Sequence, residues 1–170
     1  MPIPRIIIAG TTSGVGKTSV TLGTLYLLKN LGFKIQSFKI GPDFIDPSYH
    51  HFVTNSPSYN LDSWLMGNKG LINTFDTYTI GKDIAVIEGV MGLFDGAGGK
   101  NNFASTAQIA KILNSPIILV IDASKAARSI AAIAYGFMNF QKGLKIKGII
   151  QIKYQVIGIF VLLKMLSKTK

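Results

Sequence analysis

The chain of 170 residues contains no cysteine, only eight acidic side chains and a single tryptophan. Without cysteine there is no disulfide framework, no thiolate metal ligand and no cysteine nucleophile, which suits a reducing compartment. Nowhere do about 18 uninterrupted apolar residues occur, so no membrane-spanning helix is expected. The opening run Met-Pro-Ile-Pro-Arg-Ile-Ile-Ile-Ala-Gly is too short in apolar character for a secretory leader. The expectation is a soluble, cytoplasmic protein. Scarcity of acids leaves a formal net charge of +10. Four lysines of this excess lie in the last twenty residues, so Met1–Ile150 carries +6, with 14 basic against 8 acidic side chains. The basic residues do not gather with aromatics along one helix, as a nucleic-acid groove requires. Neither nucleic acid nor membrane is therefore expected as a partner, whereas a small polyanion fits the charge.

Nearly half the residues are hydrophobic, 48%, enough for one sizeable core. Their pattern alternates strand and helix. Arg5–Ala9, Lys34–Ile40, Ile84–Ile87 and Ile117–Ile121 read as buried parallel strands, and Ile146–Ile150 opens a fifth. Lys17–Leu31, Ser105–Leu113 and Ser124–Phe140 read as helices. Asp46–Gly81 reads as short helical pieces, Leu61–Met66 and Leu71–Tyr78, among polar loops. The alternation predicts an α/β domain: a P-loop NTPase-like three-layer fold with a mostly parallel sheet.

Between the first strand and the first helix stands Gly10-Thr-Thr-Ser-Gly-Val-Gly-Lys-Thr18. A glycine-rich loop ending in Lys-Thr at a helix N-terminus is built to cradle the phosphates of ATP. Lys17 is placed to reach the β- and γ-phosphates and Thr18 to meet Mg²⁺. The loop departs from the strict pattern: glycine falls six residues before Gly16 rather than five, and Thr11 takes the usual glycine place.

Acids to hold Mg²⁺ are expected at neighbouring strand ends. Glu88 follows the third strand directly. Asp43 follows the second after Gly-Pro, where a solvated loop acid is an equal reading. Asp46, Asp95 and Asp122 are weaker on pattern, and Asp122 could instead cap the next helix. Lys39 either sets a cation beside a transferring phosphate or is a solvated lysine. His50 and His51 lack metal-ligand spacing and read as loop residues. Trp64, with Leu61 and Leu65, reads as packing.

These stretches resemble the glutamine-dependent cobyrinic acid a,c-diamide synthases, including relatives that amidate nickel-sirohydrochlorin on the coenzyme F430 pathway. The matching segments are Gly10–Thr18, Lys39-Ile-Gly-Pro-Asp-Phe-Ile-Asp-Pro-Ser-Tyr-His50, Asn60-Leu-Asp-Ser-Trp-Leu-Met-Gly67 and Glu88-Gly-Val-Met-Gly-Leu-Phe-Asp-Gly96. Ser105-Thr-Ala-Gln-Ile-Ala and Ser129-Ile-Ala-Ala-Ile-Ala also look like the family. The resemblance implies a ligase that phosphorylates a peripheral acetate of an anionic tetrapyrrole with ATP, then lets ammonia, free or from glutamine, displace phosphate. It implies a catalytic set of Lys17, Lys39 and Asp95. Thr12, Ser13, Gly14, Val15, Gly16, Lys17 and Thr18 would hold ATP, with Mg²⁺ at Thr18, Asp43 and Glu88. Asp43, Phe44, Ile45, Asp46, Tyr49 and His50 would position substrate, and a homodimer is left open. Dethiobiotin synthetase, another carboxylate-phosphorylating ligase, has a similar loop but does not usually carry the Gly41-Pro-Asp-Phe-Ile-Asp-Pro stretch. The ParA/MinD-type switch ATPases carry a lysine early in the loop, where Thr12 stands.

Family members continue past this length into a glutaminase domain with a catalytic cysteine. After Ile150 the family pattern wants Asn-x-Val and then Arg-His, whereas the chain reads Gln-Ile-Lys-Tyr-Gln-Val-Ile-Gly-Ile-Phe. Back-translated in the frame that joins the third base of each codon to the first two of the next, starting at Ile150, the same stretch can, with permitted codon choices, encode Ser-Asn-Lys-Val-Pro-Ser-Tyr-Arg-His, which restores both elements. A one-base frameshift near codon 150 is the resulting expectation. It makes residues 1–150 the synthetase domain, truncated at its C-terminal side. Residues 151–170 become an aberrant tail whose apolar run Val156–Leu163 invites aggregation.

Overall fold

The computed structural model describes residues 3–98 and 101–152. Six strands form one sheet: β1 (Arg5–Gly10), β2 (Ile35–Ile40), β3 (Tyr59–Leu61), β4 (Ile84–Glu88), β5 (Pro116–Asp122) and β6 (Lys145–Ile152). Their spatial order is β3-β2-β4-β1-β5-β6, and every pairing is parallel. Five helices connect them: α1 (Lys17–Asn30), α2 (Ile45–Thr54), α3 (Ser63–Thr79), α4 (Thr106–Ile112) and α5 (Ser129–Phe140).

Strand alternation sends side chains to two faces, and two apolar clusters result. Ile7, Ala9, Phe38, Ile40, Ile87 and Leu119 join Leu71 and Phe75 of α3, Ile109 of α4 and Ile130 of α5. The intervening residues Ile8, Val86 and Val120 join Leu25 of α1, with Val53 of α2 packed alongside. The sheet thus lies between α3, α4 and α5 on one face and α1 and α2 on the other.

Two local readings differ from the sequence expectations. The region 45–54, read as loop, is helix α2. Asp43 Oδ1 accepts the amides of Ile45 (2.8 Å) and Asp46 (3.2 Å) at its start, and Pro47 sits in the first turn, where a missing N–H costs nothing. The two helical pieces expected after residue 60 are present, as the two segments of α3 on either side of a non-helical break at Gly67, with φ 63° and ψ 174°. The helix expected from Ser124 begins at Ser129. The three-residue β3 was too short to show a period. Of the expected aberrant tail, Gln151 and Ile152 extend β6 beside Ile121 and Asp122; residues 153–170, including Val156–Leu163, lie outside the described residues.

Phe38 and Phe75 are fully buried with ring centroids 5.3 Å apart, tying β2 to α3. Phe38→Ala is expected to cost about 3–5 kcal/mol, the range for deleting a buried aromatic ring, and urea unfolding monitored by circular dichroism measures it.

Candidate active site

Parallel strands deliver their C-terminal ends to one edge of the sheet, and ligands collect there. At this edge Lys39 of β2 and Glu88 of β4 are register partners. Phe38 and Ile87 face the larger apolar cluster, so Lys39 and Glu88 face the opposite side, toward α1 and α2. The first turn of α1 places Thr18 there. On α2, Asp46 and His50 are four residues apart and share a helical face.

These five side chains form one network. Glu88 Oε1 accepts from Thr18 Oγ1 at 2.6 Å and from Lys39 Nζ at 3.2 Å. Lys39 also pairs with Asp46 and donates to Gly89 O at 3.2 Å. Thr18 Oγ1 lies 3.4 Å from Asp46 Oδ1. On the far side of the carboxylate, Glu88 Oε2 is 2.8 Å from His50 Nε2, whose Nδ1 meets Ser58 Oγ at 3.0 Å. Glu88 and His50 are wholly buried and Lys39 nearly so. Burial is the largest influence on Glu88 and pushes its carboxyl up. The His50 hydrogen bond, the Lys39 ammonium and the Thr18 hydroxyl together outweigh it and hold the group below its ordinary value.

The phosphate loop adopts the backbone its glycines permit. Gly14 and Gly16 have φ of 72° and 92°, the left-handed region that side chains rarely enter. Gly10 is required by close packing: a Cβ there would lie 2.6 Å from Val15 Cγ2 and 3.0 Å from Thr12 O. The shifted glycine of the motif therefore serves the turn itself. Val15 is buried against the sheet, so its contribution to a nucleotide site is its backbone. Lys17 Nζ rests on two loop carbonyls, Met91 O at 2.7 Å and Thr12 O at 3.3 Å. Burial first, and then the Lys39 charge, lower the Lys17 pKa from its ordinary value.

The other sequence candidates fall in distinct places. Lys39, which pattern alone could have left in solvent, is buried among acids. Asp43 caps α2 and keeps Oδ2 3.9 Å from Lys39, so Asp46, ranked lower on pattern, is the α2 acid nearest Thr18. His50 is helical and has no exposed surface, which separates it from Phe44, Ile45 and Tyr49, whose side chains are largely exposed. Asp95 accepts from Gly92 N at 3.0 Å in the loop after β4. Asp122 accepts from Ser124 N at 2.9 Å, in a turn well ahead of α5. Trp64 is 62% exposed and Leu65 73%, so neither is the core residue expected; the side-chain cap from Asp62 to their amides projects this first turn outward. The missed partnership was Asp46 with His50, legible as an i, i+4 pair once the segment is seen as helix.

Thr18, Asp46 and Glu88 offer hard oxygen donors at one point. Among the described residues no three acidic or imidazole side chains converge as a complete metal cage. A hydroxyl and one or two carboxylates suit Mg²⁺, which keeps waters and shares phosphate oxygens.

Because its pKa is lowered, Glu88 contributes stability above the ordinary value of 4.5 that is lost as pH falls through the lowered one. Lys39→Met strands this carboxylate and is expected to cost about 3–5 kcal/mol at pH 7. The double variant Lys39→Met/Glu88→Gln is expected to recover most of that loss in denaturant titrations. Additive losses would mean the two groups do not depend on each other.

The family described as the CobQ/CobB/MinD/ParA nucleotide binding domain matches residues 6–160. Among curated relatives, the cobyrinate a,c-diamide synthase of Synechococcus sp. is 52% identical over 145 residues, covering 85% of this chain and 32% of that protein. That of Syntrophotalea carbinolica is 47% identical over 150 residues, with 88% and 33% covered. The hydrogenobyrinate a,c-diamide synthase of Streptomyces coelicolor is 45% identical over 148 residues, with 87% and 30% covered. The chain thus spans about a third of these relatives' length. Chloroplast FtsY from Physcomitrella patens superposes with a TM-score of 0.64 at 15% identity, covering 89% of this chain and 50% of that one. FtsY from Elizabethkingia anophelis, solved with GDP, gives 0.62 at 14% identity, covering 88% and 57%. At such identity the likeness is one of fold.

Proposed function

The chain belongs to the CobQ/CobB/MinD/ParA nucleotide-binding domain family, and from that membership we propose that it is the ATP-dependent synthetase domain of a tetrapyrrole a,c-diamide synthase. It phosphorylates acetate side chains of a cobyrinate-class macrocycle so that ammonia can convert them to amides. The observation that carries this reading is the convergence of Thr18, Lys39, Asp46 and Glu88 beside the phosphate loop. The relatives' names support the substrate class.

A carboxylate is a poor electrophile, and driving one anion onto another requires cations between them. Lys17 and Lys39 are ammonium groups now held by carbonyls and carboxylates of the chain itself. Each has three donors, so phosphate oxygens can replace those partners without a change of fold. Thr18, Asp46 and Glu88 would hold Mg²⁺, with Asp43, whose Oδ2 lies 3.9 Å from Lys39 Nζ, as a further carboxylate of the same edge. Bound there with the nucleotide, the ion supplies charge neutralisation at the β- and γ-phosphates.

In the reaction a substrate carboxylate oxygen attacks the γ-phosphorus and the bond to ADP breaks, giving an acyl phosphate. Ammonia then attacks the acyl carbon, phosphate leaves with that carboxylate oxygen, and the proton lost from nitrogen passes to the departing phosphate. His50 holds Glu88 from behind, so one carboxylate oxygen stays directed at Thr18. Glutamine is the proposed ammonia source, through a glutaminase activity. A nickel-bearing macrocycle is the alternative substrate, distinguished by comparing turnover on the two.

Lys17→Ala is expected to abolish ATP binding, read by calorimetry, whereas Glu88→Gln is expected to lower tetrapyrrole-dependent ADP release at least tenfold with nucleotide affinity nearly kept. Unchanged turnover in both variants rules out the site. Turnover stimulated by DNA or lipid, with nucleotide-dependent dimerisation, would instead identify a switch ATPase.

A further inference from the structure

Beside the phosphate loop lies a cavity of about 250 Å³ lined almost entirely by apolar surface. Its walls come from the ends of β2 and β3, the first turn of α3 and the loop after β4. Trp64, Leu65, Met91, Pro42 and Ala97 are the lining residues that matter here. The polar groups of these walls are spent on one another. Asp62 accepts the Trp64 and Leu65 amides, and Ser63 Oγ donates to Gln108 Oε1 at 2.9 Å, which also accepts Ala104 N at 2.6 Å. What remains for a ligand is hydrocarbon, in a wall that these bonds hold open.

The cavity adjoins the phosphate site at one residue. Met91 lines it while its own carbonyl holds Lys17 Nζ at 2.7 Å. Outward, the apolar surface extends over Trp64 and Phe103, whose rings lie 5.9 Å apart and are both substantially exposed.

We infer that this cavity is the specificity subsite for the acid-bearing ring substrate, taking an alkyl-substituted, non-reacting edge of the macrocycle while a carboxylate reaches toward Lys17. The inference rests on the ligase reading above. Size fixes the occupant to an edge. Whole drug-sized ligands fill roughly 300–1,000 Å³, so a macrocycle cannot enter entirely and must lean its remaining face on Trp64 and Phe103. The shared Met91 sets the chemistry, because a molecule with both an acid and a hydrocarbon edge can meet Lys17 and the cavity together. Remote apolar contacts of this kind orient the reacting group.

The test uses the full chain saturated with a non-hydrolysable ATP analogue and Mg²⁺, titrated calorimetrically with cobyrinate. Ala97→Phe, at an exposed position on the wall, is expected to raise the cobyrinate Kd at least tenfold while the Kd for the nucleotide analogue stays within twofold. Trp64→Ala, likewise exposed, is the second variant and is expected to weaken cobyrinate about fivefold or more. Equal cobyrinate affinity in the wild-type chain and both variants overturns the subsite but leaves the ligase reading standing. Weakened nucleotide with unchanged cobyrinate also overturns it, making the cavity part of the nucleotide site. Absence of cobyrinate binding to a wild-type chain that binds the nucleotide analogue overturns the ligase reading itself, and the subsite with it.

Discussion

A carboxylate held without water at the end of an inner strand is the constraint around which the rest of this domain is arranged. Glu88 has no exposed surface, and an isolated buried charge of this kind costs several kcal/mol. It persists because three neighbours answer it: Thr18 and Lys39 on one oxygen, His50 on the other. Each neighbour arrives on a different element, so α1, β2 and α2 are fixed relative to β4 by one ionised group. Such a cluster is a poor route to stability, since apolar packing at the same place would serve as well or better. Its position at the ligand-binding edge of a parallel sheet points to chemistry instead.

The same arrangement holds two cationic side chains beside the phosphate loop. Lys17 leans on loop carbonyls, and Lys39 lies among Asp46, Glu88 and Gly89 O. Both ammonium groups are thereby neutralised or solvated by the protein, in positions next to the phosphate loop. In the proposed reaction a polyanion with its divalent cation would exchange partners at both lysines. Preorganised charge of this sort is the usual largest contribution to catalysis at oxyanions.

Much of this could be read from the residues, and what could not has physical causes. Apolar strands ending at Gly10 and Glu88 were legible because inner parallel strands are largely continuous apolar runs that end abruptly. The phosphate loop was legible because its glycines and Lys-Thr stand between a strand and a helix. The meeting of Lys39 with Glu88 was not, because they are 49 residues apart and only sheet register joins them. Helix α2 was hidden by the prolines at 42 and 47, which read as punctuation although Pro47 sits within the permitted first turn. With α2 unseen, Asp46 and His50 could not be placed on one face, and His50 read as a loop residue rather than the support of Glu88. Trp64 was misjudged because aromatic content says burial, whereas a helix N-cap turned it outward.

The proposed transfer of phosphate to a carboxylate at this cluster is tested most directly by oxygen labelling. Cobyrinate with ¹⁸O in its acetate carboxylates would be turned over with ATP, Mg²⁺ and ammonia in unlabelled water, and the inorganic phosphate analysed by mass spectrometry. One ¹⁸O atom per phosphate is the predicted result, since the carboxylate oxygen that attacks the γ-phosphorus departs with it. Phosphate released without label, its new oxygen drawn from water, would contradict the claim and leave a nucleotide hydrolase in its place.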